Sequence, residues 1–85
     1  MANDWSYDRA LDLSGLKCPL PVLKARKALL AMKRGERLMV TATDPLSTID
    51  MAHFTAESAN PLIATAAVGE RLMFLIEKGS GAAPR

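Results

Sequence analysis

Pro19 and Pro21, two residues apart, sit between a short alternating segment and a long run of helix formers, and they fix where the first helix can begin. Proline is accepted in the first helical turn because its missing N–H would have no intrahelical partner there; deeper in a helix it removes a bond and clashes. A helix therefore starts at Pro19. What precedes it, Leu11-Asp12-Leu13 and then Ser14-Gly15, reads as a strand followed by a turn. The chain's one cysteine, Cys18, falls at the junction, at or near the N-cap. There the unpaired N–H groups and the positive dipole end favour an anion, and Lys17 adds a neighbouring positive charge. Both effects predict a lowered thiol pKa and a nucleophilic thiolate. A lone cysteine is more often a small buried hydrophobe, but that role needs none of the backbone preparation supplied by Gly15, Pro19 and Pro21. Gly15 is expected to let the loop approach closely, and the prolines to hold the sulfur outward.

The remainder reads as one domain of 85 residues with a modest core. Trp5, Tyr7, Leu11 and Leu13 share one parity; the first strand is placed at residues 9–13, residues 1–8 are loosely ordered, and Trp5 and Tyr7 cover the edge of the core. The first helix is predicted over residues 19–34 with Gly35 as its stop. Val22, Ala25, Ala28, Leu29 and Met32 form its core stripe. Leu23 and Leu30 fall outside that stripe, flanked by Arg26, Lys27 and Arg34. They either pack under a neighbouring element or form an exposed apolar strip with a basic rim leading toward Cys18. Residues 36–43 alternate as a second strand. Asp44 as N-cap with Pro45 behind it starts a second helix, Ser47 and Asp50 offering an alternative start through a capping-box-like pair. That helix reaches residue 57 or 58 with Met51 and Phe54 turned inward, since they carry the most apolar area. Residues 62–67 and 71–77 form a hairpin around Val68-Gly69-Glu70, and the tail at 79–85, without core-forming residues, is expected to be disordered. The order β-α-β-α-β-β is most economically an α+β two-layer sandwich, with both helices on one face of a four-stranded mixed sheet.

Charge and cysteine usage narrow the function classes. Residues 17–37 hold seven basic residues against Glu36 alone, a balance of +6 that leaves −4 for the rest of a chain of net charge +2. Such asymmetry suits a basic docking face. One cysteine forms no internal disulfide, which fits a reducing, cytoplasmic compartment, and no apolar run approaches membrane length. Cysteine-protease chemistry wants a histidine base, but His53, the one histidine, lies on the side of the second helix away from Met51 and Phe54 and is expected to be an exposed surface residue. Dithiol cycling wants a second cysteine, and a zinc site wants about four ligands. No metal or cofactor is therefore expected. Chemistry that needs a single activated sulfur remains: uptake of a sulfane sulfur as a persulfide and its delivery to another thiol. The rivals are a small nucleic-acid-binding module or a regulatory interaction module using the basic face of the first helix. Few aromatics for stacking and no RNA motif argue against direct nucleic-acid binding.

The stretch Leu11-Asp12 through Ser14-Gly15-Leu16-Lys17-Cys18-Pro19-Leu20-Pro21 resembles the signature of the TusA/SirA-like sulfur carrier family, whose mark is Cys-Pro-x-Pro at a helix start. The resemblance continues in Arg26-Lys27, Gly35-Glu36, Asp44-Pro45, Asp50 and Lys78-Gly79, and places the carrier domain at residues 9–78. It implies the same fold and a persulfide on Cys18. It also implies protein partners: a cysteine desulfurase or rhodanese-like donor and an acceptor protein cysteine, in tRNA thiolation, cofactor assembly or sulfur oxidation. Arg26 and Lys27 match basic positions associated with docking; Lys17, Leu23 and Leu30 complete the expected partner surface of a monomer. Asp44 and Asp50 match recurring acidic positions, for which helix capping is the expected role. Leu20 departs from the acidic residue of the tRNA-thiolation members, and a downstream second cysteine is missing.

Overall fold

Two period-2 segments lie side by side in the computed structural model, which describes residues 5–79. They are β1 (Arg9–Leu13) and β2 (Arg37–Ala42), parallel and in register from Arg9 opposite Leu38 to Leu13 opposite Ala42. The parallel pairing requires a crossover, which is α1 (Leu20–Leu30). After α2 (Ser47–Ser58), β3 (Leu62–Val68) and β4 (Arg71–Glu77) form an antiparallel hairpin, and β4 inserts between β3 and β2, giving the sheet order β1-β2-β4-β3. The hairpin turns at Gly69, whose φ of 61° supplies the positive backbone angle that two-residue hairpins demand.

Register decides which face of the sheet is covered. Leu38, Val40 and Ala42 oppose Ile76, Phe74 and Leu72 on β4, while Leu11 and Leu13 stand beside Val40 and Ala42. Opposed residues share a face, so these side chains form one apolar surface. Ala25, Ala28, Leu29 and Met32 of the α1 segment and Met51 and Phe54 of α2 join them in a single buried cluster, with Val22 packed against it. Both helices therefore sit on that face. The stripe expected from the spacing is the stripe that is buried, Met51 and Phe54 included, and the mixed four-stranded α+β sandwich is the architecture observed.

The element ends differ where tertiary bonds act. The α1 helix stops at Leu30 rather than at residue 34: Ala31 and Met32 close it by donating to the Ala28 and Leu29 carbonyls. Residues 33–36 then form a separate turn. Lys33 N–H donates to Glu36 Oε1, and Gly35, at φ 91°, donates to the Lys78 carbonyl at 2.8 Å. Docking onto the end of β4, not helix propensity, ends the helix. The α2 helix starts at Ser47, not at Pro45. Trp5 is half-buried but Tyr7 is exposed, so only the first can cover the core edge. The tail expected to be disordered, residues 79–85, lies outside the described residues except for Gly79, where the expectation of disorder does not hold.

Gly79 is described, and it is tightly held. Its N–H donates to Asn60 Oδ1 at 2.9 Å, while Asn60, itself buried, donates from Nδ2 to Ser58 Oγ. A Cβ on Gly79 would overlap the carbonyl of Ala59, the left-handed residue that closes α2. Because that carbonyl is backbone, relief requires moving the chain. Gly79→Ala is expected to cost about 1–3 kcal/mol, in the range of overpacking changes, read as a lowered urea midpoint; an unchanged midpoint would refute the contact.

Candidate functional site

The two parallel strands end together at Leu13 and Ala42, so the loops that follow them meet at one end of the sheet. A set of side-chain-to-backbone bonds ties them. Asp12 accepts from the N–H and Oγ of Ser14, which turns the chain after β1, and Gly15 N–H donates to Thr43 Oγ1 at 2.9 Å. Gly15 has φ 85°, and a Cβ there would meet open space. Its role is thus backbone conformation and not the close approach expected of it. Cys18 N–H then donates to Asp44 Oδ2 at 2.8 Å, and the other oxygen of the same carboxylate accepts from Leu46 N–H at 3.0 Å. Asp44 does shape the entry to α2, as its sequence context suggests, but half of its capacity pins the cysteine loop.

Cys18 is exposed. The α1 helix begins two residues later, with Pro19 as its N-cap residue and Pro21 inside the first turn; Pro21 is buried, Pro19 lies at the surface. The anion cradle expected at this helix start is largely occupied or missing. Pro19 and Pro21 carry no N–H, and Leu20 N–H is taken by the Lys17 carbonyl at 2.8 Å. Across from the thiol stands α2. Cys18, Pro19, Val22 and Arg26 from one side and Asp50, His53, Phe54 and Glu57 from the other line an open groove. The Arg26 guanidinium lies over the Phe54 ring, 5.8 Å from its centroid, a cation–π arrangement that braces the groove floor.

The electrostatics reverse the expected sign. The Asp50 carboxylate across the groove favours the protonated sulfur and holds the Cys18 thiol above its ordinary pKa; partial desolvation and the negative charges of Asp50 and Asp44 push the same way. A lowered thiol pKa, as expected from the helix dipole and Lys17, is therefore corrected: two carboxylates near the sulfur outweigh a dipole end with few free N–H groups. At neutral pH the resting group is the thiol. Asp44 itself is held below the usual carboxylate range by the Cys18 and Leu46 N–H groups, with Lys17 contributing; Asp12 is lowered likewise by its bonds to Ser14.

The other residues singled out in the sequence divide into two groups. Arg26 belongs to the groove with Cys18 and Pro19. Lys17, Leu23, Lys27 and Leu30 are exposed outside it, Leu23 at 50% and Leu30 at 71%, so the alternative in which the two leucines pack under a neighbour is overturned. Leu30 lies ten residues beyond Leu20, about 15 Å along the helix. His53 is exposed as expected, yet it faces the cysteine's groove. Asp50, His53 and Glu57 went unrecognised as site residues, although their spacing of three and four marks one helical stripe. Among the described residues no group of three or more His, Cys, Asp or Glu gathers to hold a metal, and no helix is long and apolar enough to cross a membrane.

A small α+β sandwich that presents one accessible cysteine just ahead of a proline-capped helix is a single-thiol protein. The family model described as sulfurtransferase TusA matches residues 9–78. A relative named sulfur carrier protein TusA, from Allochromatium vinosum, is 46% identical over 72 residues, covering 85% of this chain and 95% of its own length. The chain belongs to the TusA family.

Proposed function

We propose that this chain is a sulfur carrier that holds sulfane sulfur as a persulfide on Cys18 and relays it between proteins. The observation that supports this most is the exposure of Cys18 at the head of a groove, with its backbone held by Asp44. The sulfur of Cys18 attacks the terminal sulfur of a donor persulfide, a new S–S bond forms, and the donor's own S–S bond breaks to leave a thiol. Delivery repeats the exchange with Cys18 as donor, so no external oxidant or reductant is consumed. Donor and acceptor are protein cysteines, a desulfurase or rhodanese-like enzyme on one side and a thiol relay on the other. The exposed strip of Leu23 and Leu30, with Lys17, Arg26 and Lys27 at its rim, is the surface on which they dock. The chain works in the cytoplasm as a monomer, without metal or cofactor.

The reduced protein, incubated with a cysteine desulfurase and cysteine, is expected to gain the mass of one sulfur atom, removable by a thiol reductant. Cys18→Ser should gain nothing while keeping its circular dichroism spectrum. Equal gain by wild type and variant would end the proposal.

A further inference from the structure

The Asp50 carboxylate is left without the role its position suggests. It stands in the first turn of α2, three residues after Ser47, where the sequence offers a capping pair. That pair is not made. The helix start has no side-chain cap, and Ser47 Oγ, at 1% exposure, has no partner among the described residues. Asp44, by contrast, is committed through both oxygens to the Cys18 and Leu46 N–H groups. Of the two carboxylates beside the cysteine, one is therefore a fixed brace and the other faces the groove that Cys18 opens into.

We propose that Asp50 is the catalytic proton acceptor for sulfur uptake, taking the Cys18 proton as its sulfur attacks and returning it to the departing thiolate. The inference rests on the persulfide reading of Cys18. The balance is simple. Cys18 S–H breaks, and its proton goes to a carboxylate oxygen of Asp50. The bond between Cys18 Sγ and the donor's sulfane sulfur forms as the donor's S–S bond breaks. The donor cysteine leaves as a thiolate and takes the proton from Asp50, while the sulfane sulfur keeps its own proton. Formally the Cys18 sulfur is oxidised by one unit and the donor cysteine sulfur reduced by one, while the transferred sulfur is unchanged, so no outside oxidant or reductant is consumed.

A base is needed here because the resting sulfur is a thiol. Asp50 faces the groove that Cys18 opens into, and its carboxylate is the group that most favours the protonated sulfur. The other charged or titratable groups about the sulfur are Arg26 on α1, His53 and Glu57 on α2, and Lys17 and Asp44 on the loops. Of these, Arg26 is braced over Phe54 and Asp44 is bonded to the backbone. Asp50 lines the same groove as the sulfur and carries no cap bond, so it is placed to receive the proton when a donor closes over Cys18, the stage at which general-base contacts tighten.

The test sets two reactions of the same sulfur against each other in the full chain. Alkylation by iodoacetamide reports the thiolate fraction alone; uptake from glutathione persulfide also needs the proton handled. In Asp50→Asn, alkylation at neutral pH is expected to become faster, because the carboxylate that favours S–H is gone. Uptake is expected to slow by about tenfold or more, the lower end of what removing a general base costs, and to recover as pH rises. Asp50→Glu should restore uptake in part. Uptake equal to or faster than wild type would overturn the proposal. Slowing of both reactions together would overturn it too, since the residue would then act through shape. If wild type takes up no sulfur while its alkylation profile still shifts in Asp50→Asn, the persulfide reading fails and the carboxylate–thiol coupling stands.

Discussion

Phe74→Ala is expected to lower folding stability by about 3–5 kcal/mol, the cost of emptying a large aromatic site in a packed core. Phe74 is 1% exposed and lies on β4, the strand paired on both sides, opposite Val40 of β2 and Thr65 of β3. It belongs to the cluster that joins the sheet to Leu29, Met51 and Phe54, so neither the strands nor the helices can close the gap alone. Domains of this kind have roughly 5–15 kcal/mol in total, and the variant should be close to unfolding at ambient temperature. Urea titration followed by circular dichroism gives the value. A loss below about 1 kcal/mol would mean that the core collapses into the void, contrary to the close packing inferred from burial. Leu23→Ala makes the contrast: a comparable apolar truncation at a half-exposed surface position should stay within about 0.5 kcal/mol.

Where local chemistry alone decides, residue order was enough to place the elements. The ends of β1 and β4 coincide with the expected ones because alternation, Ser14-Gly15 on one side and Gly69-Glu70 on the other leave the chain few alternatives. The core stripe of α1 is equally local, since helical periodicity fixes which residues share a face. The end of α1 is not local. Ala31, Met32, Lys33 and Arg34 are all acceptable helix residues, and the turn that ends the helix is fixed by distant bonds across the sheet end, Gly35 N–H to the Lys78 carbonyl and Lys78 N–H to the Glu36 carbonyl. The start of α2 shifted for a related reason: Asp44 divides its oxygens between Leu46 and a cysteine distant in sequence.

The site was legible as an address and not as an environment. Cys18, Gly15 and the two prolines announce a prepared thiol. The sign of its pKa shift depends on groups that reach it only through the fold, and the two carboxylates that decide it read as caps in sequence. Dipole arguments also assume free N–H groups at the helix start, whereas a Cys-Pro-x-Pro start removes two of them by composition, and Leu20 N–H is spent on Lys17. That much could have been counted from the sequence. Asp50 facing the sulfur could not.

Asp44→Ala is expected to slow sulfur loading by up to about a hundredfold, the cost of letting a reacting atom drift by around an ångström. Both of its bonds go to backbone, one holding Cys18 and one opening α2, so the variant frees the cysteine loop from the helix that carries Asp50. Asp44→Asn should recover little, because an amide can satisfy one N–H but turns a donor toward the other. Acid should mimic the substitution. The folded-state pKa of Asp44 is depressed, so its contribution to stability is complete above the ordinary carboxylate pKa and is lost as pH falls through the depressed value. Asp12, lowered by Ser14 in the same loop system, adds a loss of the same sign. Stability of wild type measured against pH should therefore fall more steeply in the acid range than that of Asp44→Ala. The thiol separates this brace from the carboxylate that faces the sulfur: Asp44 has the smallest of the influences on the Cys18 pKa and Asp50 the largest. Alkylation profiles should accordingly shift less in Asp44→Ala than in Asp50→Asn even though loading slows in both. Equal shifts would mean that the two carboxylates act as one charge, and the division into brace and proton acceptor would fall.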